Sequence, residues 1–342
     1  MKITYTDFAC KLCGSKAIVK RGQFKGVQYW WCKSCQRRFA DNDALPEMKT
    51  PTEQVATALS LYYEGVSLNG IRRHLDQTHD NLPSKSTIWE WITRFSKEAT
   101  DKASMYKPIV GDEWVADETV LDIGGRKVWF WDIMDSETRF LLASHLSTTR
   151  TTRDAQTLME RASKVAGKSP KVVITDSLAA YLDGVELAFG ADTRHIKSKG
   201  FKVQPNTNLI ERLHGTLKDR TKVMRGLKKD IKTARLFTIS WGTYYDYLRP
   251  HEALNDKTPA EAAGIKFPYN NWKDIVAKDT VPASASSPKP VDETMFERIE
   301  RMEPAYTESG FRIASSRARV WKKRTIRTTR SQSRPRLSII RG

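Results

Sequence analysis

The sequence predicts a mixed α/β core preceded by two smaller modules, and three observations carry that expectation. From residue 112 three strand-like runs follow one another and then give way to alternating helix and strand signals. All four cysteines fall within the first 35 residues, as two CxxC pairs. Between the cysteines and the core, residues 51–98 carry three short helical signals.

The cysteine module comes first. Cys10-Lys-Leu-Cys13 and Cys32-Lys-Ser-Cys35 are separated by eighteen residues, the C-x2-C-x15–20-C-x2-C spacing of a zinc site. Each CxxC is a tight turn that aims two thiolates at one ion, and four thiolates close a tetrahedral shell with no open position. The zinc expected at Cys10, Cys13, Cys32 and Cys35 is therefore structural. Residues 16–32 read as two short strands around a turn at Gly26, a zinc-ribbon layout. Two disulfides would need an oxidising compartment that nothing in the sequence implies, and a redox CxxC belongs near a βαβ unit that is absent here.

The helical segment opens at Thr50-Pro51-Thr52-Glu53, with Val55, Ala58, Leu59, Tyr62 and Tyr63 at helical spacing before Gly65. Ser67 caps a second helix through Ile71 and Leu75. Ser84 or Ser86 caps a third, whose buried face is Ile88, Trp91, Ile92 and Phe95. Three short helices with a Gly-containing turn suggest a helix-turn-helix unit, with Lys85, Ser86, Thr87, Glu90 and Arg94 placed to read DNA. Small three-helix packings also occur without DNA.

In the core, residues 113–123, 127–134 and 140–146 read as strands joined by turns at Gly124-Gly125 and at 135–137. Residues 152–165 are helical, with Ala155, Leu158, Met159 and Ala162 on one face. A short apolar strand, 171–175, ends at Asp176, and helix 178–189, strand 193–196 and a helix from 206 to about 224 follow. Three antiparallel strands followed by α, β, α, β, α is the ribonuclease-H-like order, a mixed sheet covered by helices. The organisation expected is a zinc ribbon over 1–45, a helix-turn-helix module over 46–105, an RNase-H-like catalytic domain over 106–270, and a linker with a basic tail over 271–342.

The chain has 342 residues and a formal net charge of +18 from 58 Lys and Arg against 40 Asp and Glu. Residues 1–40 carry +8 and residues 311–342 carry +11 without one acidic residue, which leaves −1 for everything between. Such terminal basicity favours a polyanionic partner, nucleic acid first. No run approaches the apolar length of a membrane span, and the opening residues lack the apolar region of a secretory signal. Ten Trp, twelve Phe and eleven Tyr argue against global disorder. Residues 281–290 form a Pro/Ser/Ala linker, and the segment after them reads either as a DNA-contacting arm or as a disordered basic tail.

Three carboxylates stand out in the near-neutral middle. Asp117 lies mid-strand, where Asp is disfavoured. Asp176 ends a buried strand, where α/β folds place ligand-binding residues. Glu211 lies on a helix whose core stripe is Ile210, Leu213, Leu217 and Met224, a stripe that leaves Asn208, Glu211, Gly215 and Lys218 along the adjacent face. Carboxylates so placed suit two hard divalent ions, Mg²⁺ or Mn²⁺, acting on a phosphodiester. Each is also the kind of residue that commonly caps a helix or pairs with a cation. Glu118, Asp122, Asp132 and Asp135 are expected on solvent faces and in turns.

These residues carry a family resemblance. Trp114-Val-Ala-Asp117-Glu-Thr, Val173-Ile-Thr-Asp176-Ser and Asn208-Leu-Ile-Glu211-Arg-Leu-His214-Gly-Thr-Leu-Lys218, with 34 residues between Asp176 and Glu211, resemble the DDE transposases of prokaryotic insertion sequences. Residues 244–254 and 257–264 resemble the segment that closes such domains. The resemblance implies an enzyme that binds element ends in double-stranded DNA, exposes 3′-hydroxyls and joins them to target DNA by transesterification. It implies Asp117, Asp176 and Glu211 as metal ligands, Lys218 as a phosphate contact, and His214 and Asn208 as supporting residues near DNA. It further implies a dimer or larger synaptic assembly in a prokaryotic cytoplasm, at the nucleoid. The zinc ribbon and the basic tail depart from a minimal member. A non-catalytic DNA-binding regulator and a metal-dependent nuclease on the same fold are the competing readings.

Overall fold

A computed structural model describes residues 8–24, 26–45, 48–199, 203–224, 227 and 231–277, all within one compact unit. The linker at 281–290 and the basic tail lie outside the described residues.

The N-terminal module is a three-stranded antiparallel sheet, β1 (Ile18–Phe24), β2 (Val27–Cys32) and β3 (Arg38–Ala40), in that order. Gly26, at φ 77°, makes the expected turn, a conformation open to glycine at no steric cost. Its core is small: Cys10, Trp30, Cys32 and Phe39, with the Phe8 ring tilted against Trp30 at a centroid distance of 5.0 Å. So little apolar burial does not hold some forty residues folded without a cross-link or an ion.

Three helices follow: α1 (Thr52–Tyr63), α2 (Leu68–His79) and α3 (Lys85–Ala103). Ser67 caps α2 by accepting from the Gly70 N–H, and Ser84 caps α3 by accepting from the Thr87 N–H. Ser84, rather than Ser86, is thus the cap. The buried stripes are those the helical spacing predicts, but they do not close on one another alone. Tyr63 lies between Tyr244 and Trp272 with ring centroids 5.0 Å from each, and its hydroxyl meets Ser96 at 2.6 Å. Thr100 bonds Thr243, and the Tyr247 hydroxyl donates to the Ala103 carbonyl. The helical segment therefore shares one hydrophobic core with the α/β domain.

That domain is a five-stranded mixed sheet of the RNase-H-like kind. Its strands are β4 (Glu113–Ile123), β5 (Arg126–Asp135), β6 (Leu141–Ser147), β7 (Val172–Thr175) and β8 (Arg194–Lys197), in the order β6-β5-β4-β7-β8. The first three are antiparallel, and β7 and β8 run parallel to β4. Helices α4 (Thr152–Ala166) and α5 (Ala179–Phe189) pack on each other, with α4 against β5 and β6. Helix α6 (Asn208–Val223) lies on β4 and β5, seated by Ile210, Leu213 and Leu217. Helices α7 (Ile231–Tyr247), α8 (Pro259–Ala262) and α9 (Trp272–Ala277) complete the packing, and α9 lies against α1. Among the described residues no helix is long and apolar enough to cross a membrane.

Helix α7 carries a buried acid. Strand β6 bulges opposite Ile133 and Met134, and the Leu141 N–H donates to Asp246 Oδ1 at 2.9 Å. Burial holds the Asp246 carboxyl well above its ordinary range. The folded chain thus keeps a proton there that the unfolded chain releases, so this group lowers stability as pH rises above about 4. Asp246→Asn keeps the acceptor and removes the titration. Thermal unfolding between pH 4 and 8 is expected to show the variant gaining on the parent steadily with pH; a constant difference refutes the assignment.

Candidate active site

Asp117 and Asp176 are brought together by strand register. Strands β4 and β7 pair in parallel with Glu113 against Val172, Trp114 against Val173 and Val115 against Ile174. Continued by two residues, this sets Asp117 level with Asp176, just where β7 ends at Thr175. Asp117, Glu118 and Asp176 each offer an oxygen, and the three oxygens lie within 4.8 Å of one another. Adjacent residues of a strand point to opposite faces. Asp117 and Glu118 nevertheless bring an oxygen each to the same place, at the level where β7 ends and β4 runs on. Burial pushes the Asp117 carboxyl up to about 7; His214 opposes the shift, and Glu118 and Asp176 reinforce it.

The antiparallel partner of Asp117 is Asp132 on β5, and Asp132 in turn faces Ser144 on β6. Two acids directly opposed on one face repel each other. His214, from the middle of α6, resolves the conflict: its Nε2 is 3.0 Å from Asp132 Oδ2 and its Nδ1 is 3.7 Å from Asp117 Oδ2. The Ser144 hydroxyl donates to the other Asp132 oxygen. Asp132 is wholly buried, and burial raises its pKa against the hydrogen bonds from His214 and Ser144.

The expectation that Glu118, Asp132 and Asp135 lie on solvent faces and in turns is therefore corrected. All three are buried. Asp135 accepts from the Gly111 and Thr138 N–H groups and so ties down the β5–β6 turn. Glu118 takes two donors from Arg150, Nε at 2.9 Å and Nη2. Asp132 was legible as an acid inside an apolar strand, the same signal that marks Asp117. Arg150 sits between β6 and α4 and left no trace in any periodicity.

The remaining expected site residues are not among the three converging carboxylates. Glu211, in the first turn of α6, accepts a hydrogen bond from the Thr207 hydroxyl at 2.9 Å and is outside the group of three converging carboxylates. Asn208 is half-buried at the start of the same helix. Lys218 is exposed and lines an open cleft of about 300 Å³ with Val120, Leu121, Asp122, Asp219 and Lys222. On α3, Lys85, Ser86 and Arg94 are exposed, Thr87 is half-buried with its hydroxyl on Ser84, and Arg94 pairs with Glu98.

The four cysteine sulfurs gather within 4.8 Å, with Cys10 Sγ 3.7 Å from Cys35 Sγ and Cys13 Sγ 3.6 Å from Cys32 Sγ. Zinc–sulfur bonds of about 2.3 Å in a tetrahedron set sulfur–sulfur edges of about 3.8 Å, so the donor set fits zinc. The Cys35 and Ser34 backbone N–H groups pull the Cys32 thiol down to about 6, although burial works against them.

The His214 contact generates a stability prediction. His214→Ala leaves Asp132 buried with Ser144 as its one side-chain partner and is expected to cost roughly 3–5 kcal/mol at neutral pH. The loss shrinks as pH falls and the folded chain protonates the Asp132 carboxyl, whose pKa burial raises, and it grows as pH rises and that carboxyl ionises. Urea unfolding at pH 5 and pH 8 checks this, and adding Asp132→Asn is expected to restore part of the loss.

Residues 111–241 match the DDE domain family. Among solved structures the chain is similar to the HTLV-2 integrase catalytic core domain in complex with magnesium (16% identity, TM-score 0.36, 46% of this chain and 99% of that one). It is also similar to the catalytic core domain of BIV integrase (14%, 0.34, 45% and 93%). A third is the simian T-cell lymphotropic virus intasome in complex with the PP2A regulatory subunit B56 gamma (15%, 0.34, 55% and 62%). No curated protein matches the chain. Residues 111–241, in which two aspartates converge at the end of a parallel strand pair, are thus similar to a DDE domain.

Proposed function

We propose that the chain is a DNA transposase that binds element ends, cleaves to expose 3′-hydroxyls and joins them to target DNA. The observation that carries this reading is the convergence of Asp117 and Asp176, with Glu118, at the open corner of the sheet inside the DDE domain. Three hard carboxylate oxygens fit Mg²⁺ or Mn²⁺. When bound, two such ions stabilise the attacking and the leaving oxygen of a phosphodiester displacement.

The residues of the chain divide the remaining tasks. Asp117 and Asp176 would hold the ions, with Glu211 as the third ligand by its position in the motif; its Oε1 accepts a hydrogen bond from the Thr207 hydroxyl. His214 fixes the Asp117 carboxylate from the side of α6 and is itself fixed by Asp132. Lys218, exposed two turns beyond Glu211, contacts backbone phosphate. Asn208 supports the start of the helix. Lys85, Ser86, Thr87 and Arg94 read DNA from α3, and the basic ribbon adds phosphate contacts. Synapsis of two element ends calls for at least a dimer. The proposed domain division is ribbon over 1–45, helical reader over 46–105, catalytic domain over 106–270, and linker with basic tail over 271–342, except that α9 (Trp272–Ala277) packs on α1 and belongs with the shared core.

Incubation with DNA carrying candidate element ends, Mg²⁺ and an intact target plasmid tests the reading. Joined products are expected, and are expected to be abolished in Asp117→Asn, Asp176→Asn and Glu211→Gln, each of which removes a charged metal ligand. End binding without cleavage or joining would mark a regulator, and cleavage without joining a nuclease.

Zinc is tested separately. One zinc per chain is expected by elemental analysis, and it is expected to disappear in Cys10→Ser. Because the ribbon has its own small core, chelation is expected to unfold residues 8–45 and weaken DNA binding. Unfolding of the remainder should shift by no more than about 0.5 kcal/mol.

A further inference from the structure

Arg150 stands at the carboxylate corner without belonging to the motif. It follows β6 and precedes Thr151, the cap of α4. Its Nε and Nη2 both bond Glu118 Oε1, and Nη2 is 3.9 Å from Asp176 Oδ2. The guanidinium lies 4.6 Å from the centre of the Trp129 ring, a stacking platform that needs no carboxylate. Its side chain is 36% exposed, whereas that of Glu118 is 2% exposed.

The charges explain the arrangement. Three acidic side chains in one half-buried corner repel unless cations face them. His214 faces Asp117 from α6. Arg150 faces the other two, Glu118 and Asp176, from the opposite side of the chain order. The two carboxylates it faces are among the three whose donor set fits a divalent ion. A guanidinium and a metal ion both seek carboxylate oxygens, and two cations of like sign in one corner disfavour each other. The anchoring is asymmetric: Glu118 is fixed in the interior, whereas Arg150 is partly in solvent on a connecting segment and has Trp129 to rest on.

We propose that Arg150 is a built-in counter-cation of this corner: it holds Glu118 and Asp176 while no divalent ion is bound, and it competes with that ion for their oxygens. The inference rests on the reading of the corner as a divalent-metal centre. Loading the site then means displacing Arg150, so the affinity for metal is set by the strength of this internal pair as well as by the ligands. Competition is reciprocal: metal binding weakens the hold of Arg150 on Glu118 by the same factor.

Mn²⁺ binding to the full-length, zinc-loaded protein tests this without reference to catalysis. Free Mn²⁺ is followed by electron paramagnetic resonance, with an Asp117→Asn/Asp176→Asn double variant as the blank for binding elsewhere. Arg150→Gln is expected to bind Mn²⁺ about five- to twentyfold more tightly than the parent at equal ionic strength. Arg150→Lys keeps the charge but loses the planar fork, and is expected to bind about two- to fivefold more tightly than the parent. Far-UV circular dichroism and thermal melting establish that each variant is folded, and if Arg150→Gln does not fold, Arg150→Lys decides. Equal or weaker binding in a folded variant, beside a parent that does bind at this corner, overturns the inference and leaves the metal-centre reading standing. Absence of any binding above the blank in parent and variants alike overturns the metal-centre reading, and the inference with it.

Discussion

The parallel register between β4 and β7 is the constraint on which the site depends. Trp114, Val115 and Ala116 on one strand and Val173 and Ile174 on the other are buried, so the pairing is fixed by what must face the core. A slip of one residue would turn Asp117 to the other face of the sheet and separate it from Asp176. The apolar residues that precede the two aspartates thereby do the aiming. Since β7 stops at Thr175, the sheet opens at the level where the acids emerge, and crowding that would be intolerable mid-sheet becomes a corner open to solvent.

Packing the acids there has an electrostatic cost, and the chain offsets it from two directions. Helix α6 is seated by Ile210, Leu213 and Leu217, and its 3.6-residue period then carries Glu211, His214 and Lys218 along neighbouring positions of one strip. His214 is the member driven inward, between two carboxylates that cross-strand pairing sets face to face. Arg150 answers from the far end of β6. One helix and one loop, distant in sequence, are recruited to the same corner by charge.

Much of this was legible in the sequence. The order of strands and helices, the cap at Ser67, a serine cap at 84 or 86 and the gathering of the four cysteines follow from spacing and local chemistry alone, and so does the singling out of Asp117 and Asp176. Glu118, Asp132 and Arg150 did not, because their roles arise from contacts across strands and between elements, which periodicity does not encode. Asp132 matters because it stands opposite Asp117 in an antiparallel ladder, and that pairing depends on the turn at Gly124-Gly125. Likewise, the stripe of α1 announced a buried face without saying what buries it. The answer, α7 and α9, lies 170 or more residues further along the chain, and α9 falls in a stretch whose composition suggested only the start of a linker.

The stacking of Tyr63 between Tyr244 and Trp272 bears on how such a chain is assembled from parts. The helices that carry the proposed reading residues form one wall of the interior that supports the sheet, so they are not an exchangeable attachment. A lineage that acquired a new reader by cutting after α3 would leave Tyr244 and Trp272 in water and lose much of the packing on α7. The ribbon, with its separate core, is free of this bond. Exchange of a whole module is thus easiest at the junction between Ala40 and Pro51, while the proposed reading residues of α3 can change by substitution on its exposed face.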